Sequence, residues 1–175
     1  MRGPGMNTAT KQPLHDRRAR TRKEIKQLIA ERNNVLSQYY NLASHADQNP
    51  ENNEETLELL QEFCQDLVDY LATGHFEIYR RIEEKEERRS EIKQLANEVF
   101  DRITETTSVA VAFNDLYDTS DNFNPDVLKQ LPQQLSRLGE ELATRIDLED
   151  RFINTLLSTP DRAKGSKSTT ARVAS

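Results

Sequence analysis

The sequence of 175 residues has little of what a disulfide-stabilised or membrane-spanning protein needs. Cys64 is its single cysteine, which excludes an intrachain disulfide, and we expect this thiol to serve as a small buried apolar group. No run of 18 apolar residues occurs that could cross a bilayer, and the first residues lack the apolar middle of a signal peptide. We therefore expect a soluble cytoplasmic protein without a membrane partner.

Basic residues are absent from one long interval of the chain. No lysine or arginine occurs between Asp47 and Tyr79. The excess of acidic residues in the whole chain is moderate by comparison, with a net charge of -6. The interval contains nine carboxylates, namely Asp47, Glu51, Glu54, Glu55, Glu58, Glu62, Asp66, Asp69 and Glu77. This charge pattern is open to two interpretations, a solvated helix face or a docking surface for a basic partner.

The two ends of the chain are basic. Residues 1–26 carry eight lysines and arginines against two acids, and the tail after Asp161 carries four basic residues and no acid. No aromatic residue is interleaved with the arginines of residues 17–23, so we favour a solvated helix start over a nucleic-acid patch. We predict a disordered segment over 1–13, a helical domain over 14–158 and a disordered basic tail over 159–175.

Glycine and proline are scarce, with five and six copies, and strand signals are almost absent. The apolar spacing predicts an all-α, antiparallel up-down helical bundle with four main helical segments. The predicted segments are 14–43, 54–73, 75–118 and 125–158, with loops at 44–53 and 118–124 and a strong helix start at Asn124-Pro125-Asp126.

The third predicted segment is too long to be one straight helix. As a single rod it would extend about 66 Å at about 1.5 Å per residue, so we predict a bend or break near residues 88–90, where Ser90 could cap a new helix. In the last segment Leu128, Leu131, Leu135, Leu138 and Leu142 follow steps of three and four, the spacing of a buried seam. Pro132 is expected to bend this helix slightly.

The second predicted helix has a mixed character. Its apolar stripe comprises Leu60, Cys64, Leu67 and Leu71, at steps of four, three and four. Gly74 then interrupts the pattern, and we expect it to end the helix in a left-handed backbone conformation. Aromatic residues follow at Phe76 and Tyr79. An acidic helix that ends next to aromatic residues suits the capture of a basic protein better than catalysis.

This second helix resembles the regulator of sigma D (Rsd/AlgQ) family of bacterial anti-sigma factors. The resemblance is carried by Phe63-Cys64, Leu67-Val68-Asp69-Tyr70, Gly74-His75-Phe76 and Ile78-Tyr79, with weaker blocks at residues 38–42 and 148–150. It implies a helical bundle that binds the C-terminal, DNA-reading region of the primary sigma factor and keeps that factor from RNA polymerase. Such a protein needs no cofactor, no small-molecule substrate and no direct nucleic-acid contact.

The resemblance also places a partner-binding surface on the chain. Asp69 and Phe76 match family positions that contact the sigma factor, and by the same resemblance Tyr40 is expected to line the groove of Asp69. The predicted partner-binding residues are Asp66, Asp69, Tyr70, His75, Phe76 and Tyr40. For His75 a structural role and a partner contact both stay open. Glu149 and Asp150 are either solvated or, by the resemblance, part of a buried ion pair or groove wall.

Two other classes of function are alternatives to an anti-sigma factor. A helical scaffold could bind another regulatory protein through the same acidic face. A metal-dependent helical enzyme would need Glu-x-x-His pairs, but the residues three positions before His15, His45 and His75 are Gln12, Leu42 and Ala72. The chain also lacks both the GxGxxG and GxxxxGK[ST] phosphate-binding patterns. We therefore predict neither enzymatic activity nor a metal site.

Overall fold

A computed structural model describes residues 12–48, 53–79, 90–117 and 125–158. Within these ranges the chain forms five α-helices and one π-helical turn. We number them α1 (Gln12–Gln48), α2 (Asn53–Thr73), α3 (Ser90–Tyr117), α4 (Pro125–Lys129) and α5 (Leu131–Ser158), with the π-helical turn at Gly74–Tyr79. Of the predicted disordered segment 1–13, residues 1–11 lie outside the described residues, whereas Gln12 and Pro13 belong to α1. Residues 49–52 of the first predicted loop, the stretch 80–89, the loop 118–124 and the predicted tail 159–175 also lie outside the described residues.

The four long helices form an antiparallel bundle, as predicted. Asn34 contacts Asp66 and His45 contacts Glu55, so residue numbers rise along α1 as they fall along α2. Arg32 pairs with Asp150 and Tyr39 bonds Leu135, which shows the same antiparallel relation between α1 and α5. Phe63 packs against Phe113, while Tyr70 lies by Arg145, which donates to Thr106, so α2 and α3 are antiparallel as well.

The bundle consists of two layers. The pairs α1 with α2 and α3 with α5 pack extensively, whereas the α1–α5 and α2–α3 contacts that join the layers are smaller. Apolar side chains fill the space between the layers, among them Leu28, Leu42, Phe63, Leu67 and Leu138, none of which is more than slightly exposed. Burial of such side chains is worth about 1.5–3 kcal/mol each, so this interior is the main source of stability.

The first helix is longer than predicted. Residues 44–48, expected to be a loop, continue α1 by more than one turn. Ala43 and Ala46 pack against the core, and His45 Nδ1 lies 4.0 Å from Glu55 Oε2. Tertiary packing therefore outweighs the weak helix preference of Ser44, His45 and Asp47.

The break predicted near residues 88–90 falls mainly on the stretch 80–89, which lies outside the described residues, so it stays a prediction; α3 is described from Ser90 onward. The predicted last segment begins at Pro125 as expected but is interrupted at Gln130. Gln130 N donates to Val127 O at 3.2 Å, and the next helix starts with Gln134 N donating to Gln130 O at 2.9 Å. Pro132 lacks an N–H group and its ring crowds the carbonyl four residues earlier, so a continuous helix cannot pass through it without distortion.

Candidate functional site

The outward face of α2 carries a row of carboxylates, which we call the acidic stripe. It comprises Glu55, Glu58, Glu62, Asp66 and Asp69. These positions follow steps of three, four, four and three, which places them on one side of the helix. All are exposed except the half-buried Asp66, and the opposite side of α2 is buried in the core. The local sequence thus builds a helix that is apolar inside and anionic outside.

Asp66 links α2 to α1. Its Oδ2 atom accepts a hydrogen bond of 2.8 Å from Asn34 Nδ2 and a second from the side-chain amide of Gln38. Both donors are uncharged, so Asp66 contributes to the negative potential of the acidic stripe while it also holds the two helices in register. Of the two predicted aspartates, Asp66 has a structural role that Asp69 lacks.

Asp69 lies on the other edge of the acidic stripe, towards α3. It borders a groove of about 480 Å³ between α2 and α3. The groove is lined by Gln61, Cys64, Gln65, Val68, Asp69, Asn114 and Tyr117. Because Asp69 is exposed and the groove is largely polar, its carboxylate is accessible to a protein partner.

The π-helical turn follows directly and presents two aromatic rings. His75 and Phe76 are both exposed, Phe76 with 56% of its surface, and their ring centroids are 5.2 Å apart in an edge-to-face arrangement. Gly74 was expected to end the helix in a left-handed conformation, but the chain continues through it in wider helical turns. π-Helical turns are rare in proteins overall, but those that occur are often found at functional sites.

Tyr70 requires a correction, since it was predicted to lie on the binding surface. Its side chain is 0% exposed, because Tyr70 follows Phe63 and Leu67 at helical spacing and shares their buried face. The phenol donates a hydrogen bond to the Glu149 carboxylate, and the Arg145 guanidinium lies 5.4 Å from the ring centroid. Tyr70 thus joins α2 to α5 beneath the surface, where a partner cannot reach it.

Glu149 and Arg145 are the charged centre of the bundle, with 2% and 1% exposure. Arg145 Nε lies 3.6 Å from Glu149 Oε2, and Arg145 NH1 donates to Thr107 Oγ1 at 2.7 Å and to Thr106 Oγ1 at 3.3 Å. Burial raises the pKa of the Glu149 carboxyl, while the charge of Arg145 opposes this rise. Burial and the nearby carboxylate also raise the pKa of the Tyr70 phenol.

Arg32 of α1 completes this buried network at its edge. Its NH1 atom lies 2.8 Å from Asp150 Oδ1 and 3.9 Å from Glu149 Oε1. The resemblance pointed to Glu149 and Asp150, but Arg145 and Arg32 were not predicted. Arg145 and Glu149 occupy the next two positions of the leucine seam after Leu142, at steps of three and four, and this signal could have indicated their burial.

Tyr40 lies elsewhere, so the expectation that it shares a groove with Asp69 is wrong. It borders a groove of about 340 Å³ between α1 and α5, which we call the Tyr40 groove. From α1 the Tyr40 groove is lined by Leu36, Tyr39 and Tyr40. From α5 it is lined by Gly139, Leu142, Ala143, Ile146, Asp147 and Asp150. The α1–α5 and α2–α3 contacts are opposite sides of the bundle, so the two grooves face away from each other.

The described residues contain neither a metal-binding cluster nor a membrane-spanning helix. Within these ranges no group of three or more His, Cys, Asp or Glu side chains could hold a metal ion. The helices that the structure describes include none that is long and apolar enough to cross a membrane.

Comparison with known proteins bears directly on this helical architecture. Residues 7–157 match the family model described as regulator of RNA polymerase sigma(70) subunit, Rsd/AlgQ. The chain belongs to the Rsd/AlgQ family. The match covers the five described helices of this Rsd/AlgQ member except the last residue of α5. The family description names a regulator of a polymerase subunit and no enzymatic reaction.

Individual relatives agree with the family assignment. A regulator of sigma D from Yersinia pseudotuberculosis is 33% identical over 130 residues, which are 74% of this chain and 76% of that protein. One from Salmonella newport is 32% identical over 142 residues, 80% of this chain and 85% of that protein. One from Yersinia enterocolitica is 40% identical over 95 residues, 54% of this chain and 56% of that protein, a little over half of its length. No solved structure gives a significant match.

Proposed function

We propose that this protein is an anti-sigma factor that binds the primary sigma factor of RNA polymerase through its C-terminal, promoter-reading region. The observation that carries the proposal is the outer side of α2, where the acidic stripe leads to the exposed ring of Phe76. Membership of a family described as regulators of the sigma(70) subunit supports the same partner. Sequestration of that partner would leave RNA polymerase available to alternative sigma factors.

The charge of the acidic stripe suits such a partner. A helix-turn-helix domain presents lysine and arginine to DNA phosphates, and carboxylates on a helix can occupy the same cationic surface. Helix α2 contains no lysine or arginine, so no cation of its own offsets the five carboxylates of the stripe. Complementary charge accelerates encounter and selects the partner more than it adds affinity.

Phe76 is the candidate for the main apolar anchor. Aromatic residues at the centre of an interface contribute a large share of binding free energy when a partner buries them. The Phe76 ring is more than half exposed and is supported by the edge of His75. Its exposure also means that removal of the ring should leave the core intact.

The proposal is tested by titrating the purified C-terminal region of the primary sigma factor into wild-type protein and matched variants. We expect Asp69→Lys and Phe76→Ala each to weaken binding by about tenfold or more, which corresponds to about 1.4 kcal/mol. The controls are Asp101→Lys and Val111→Ala, which change exposed residues of α3 outside the proposed surface. Circular dichroism should show the same helicity in all four variants.

The result also separates this function from a helical scaffold for another regulatory protein. If the sigma C-terminal region is not retained at modest salt by the wild-type protein, the anti-sigma function is rejected. If it binds but the four variants bind equally well, the partner is correct and the surface is wrong.

A further inference from the structure

The Tyr40 groove is a second candidate interaction surface, on the side of the bundle away from the acidic stripe. Tyr40 is 67% exposed, the largest value among the exposed large apolar residues of the described chain. Its ring stands edge-on against Tyr39, with centroids 5.7 Å apart and planes at 79°. Tyr39 is in turn packed against Phe63 of the core, at 6.1 Å between centroids. Tyr40 is therefore an exposed aromatic ring on a rigid support.

The floor of the groove is apolar and close to the helix backbones. Tyr39 Oη donates to Leu135 O at 2.7 Å, and Gly139 leaves the space that the Tyr39 ring occupies. Leu36, Ala143 and Ile146 line the groove alongside, and Ala143 is too small to close it. The Tyr40 groove is thus shallow and apolar and runs along two helices, the kind of surface that accepts the apolar face of a third helix.

The rim of the Tyr40 groove is anionic. Asp147 and Asp150 line it, and exposed Glu140 lies two turns before Asp147 on the same helix. Helix α1 has no lysine or arginine after Arg32, and Arg32 is already paired with Asp150. Arg151 is the exposed cation that follows on α5, and it is not part of the lining. The charge around the groove therefore favours a basic occupant.

We infer that the Tyr40 groove docks a basic amphipathic helix of a second protein, independently of the partner held by the acidic stripe. The apolar face of that helix would cover Tyr40 and Ala143, and its lysines or arginines would reach Glu140 and Asp147. Two other occupants, the basic tail of this chain and a second copy of the chain, fit the Tyr40 groove less well. The basic tail 159–175 offers no apolar side chain larger than valine, and a second copy of this chain brings a net charge of -6 to an anionic rim.

The test is a titration of isotope-labelled full-length protein, followed by NMR, with three synthetic peptides. The first is a helical peptide with leucines along one face and lysines on the other, and the second has glutamates in place of the lysines. The third is the segment 159–175. We expect the basic amphipathic peptide to shift the amide signals of Leu36, Tyr40, Gly139 and Ala143, and the other two peptides to leave them unchanged.

Variants distinguish the groove from the acidic stripe, which will also attract a basic peptide. We expect Tyr40→Ala and Asp147→Lys each to raise the peptide concentration needed for half-maximal shifts at the Tyr40 groove by about tenfold, and Asp69→Lys to leave it unaltered. The inference is overturned if the shifts map only to α2, or if the acidic peptide or segment 159–175 binds the groove equally well. Concentration-dependent shifts at the groove without any peptide would identify a second copy as the occupant and would also overturn it.

Discussion

Substitution of Gly139 by alanine gives the sharpest test of the α1–α5 packing. In an ordinary helix this change would stabilise the protein by about 1 kcal/mol, because alanine has the higher helix propensity. Here a Cβ atom at position 139 would overlap Tyr39 Oη and lie 2.8 Å from Tyr39 Cζ. Both separations are far below a van der Waals contact, so the Tyr39 ring has to move.

The cost can be worked out from the contacts that Tyr39 makes. Overpacking at a close contact costs about 1–3 kcal/mol, and loss of the hydrogen bond from Tyr39 Oη to Leu135 O costs about a further 1 kcal/mol. Set against the gain in helix propensity, the net loss for Gly139→Ala is about 1–3 kcal/mol. In a chain of this length each kcal/mol lowers the melting temperature by about 2–4 °C.

Thermal and urea unfolding of a double-mutant cycle with Tyr39→Leu measures the effect. In the Tyr39→Leu background the clash is absent, so Gly139→Ala should be neutral or stabilising there. The reasoning is refuted if Gly139→Ala stabilises the wild-type protein, or if it destabilises both backgrounds by the same amount.

Three further predictions concern the polar side chains of the bundle. Asp66→Ala should lower the free energy of unfolding by about 1–2 kcal/mol in urea titrations, because two hydrogen bonds to α1 are lost. Asp69→Ala, at an exposed position, should change it by less than about 0.5 kcal/mol. Equal losses would contradict the separate roles of the two residues. Tyr70→Phe should lower the free energy of unfolding by about 1–3 kcal/mol, because it removes a hydrogen-bond donor to a buried carboxylate. Its affinity for the sigma factor should stay unchanged in a binding titration. A weaker affinity in a fully folded variant would indicate that Tyr70 contacts the partner after all. The pKa of Glu149 is raised in the folded protein, so the carboxyl group of the unfolded chain ionises first, above a pH of about 4.3. The free energy of unfolding of the wild type should therefore fall relative to that of Glu149→Gln as the pH rises from there through the folded-state pKa. A stability difference that stays constant or changes in the opposite direction across this range would disprove the raised pKa.

The helical architecture was predictable because the sequence repeats its apolar residues at helical spacing with few breakers. The leucine seam of the last helix followed from local signals alone. The extension of α1 to Gln48 was not predictable in this way, since it depends on the packing of Ala43 and Ala46 against other helices. The interruption at Gln130 was only partly anticipated, as a slight bend at Pro132.

The candidate site was less accessible to sequence reasoning. Charge and spacing indicated the acidic stripe, but the resemblance did not distinguish exposed Phe76 from buried Tyr70. Tyr70 donates to Glu149, which lies 79 residues away, and no local pattern shows such a partner. Similarly, the side of α1 on which Tyr40 lies depends on which helices pack against α1. Long-range contacts therefore determine the division between binding surface and interior.

The measurement that tests the central claim most directly is the affinity of full-length primary sigma factor for wild-type protein, Asp69→Lys and Asp101→Lys over a range of salt concentrations. If the acidic stripe captures a cationic surface of the sigma factor, wild-type binding should weaken steadily with salt. Asp69→Lys should bind more weakly and with a smaller salt dependence, and Asp101→Lys should follow the wild type. The absence of a complex, or identical salt-insensitive binding by all three proteins, would contradict the account.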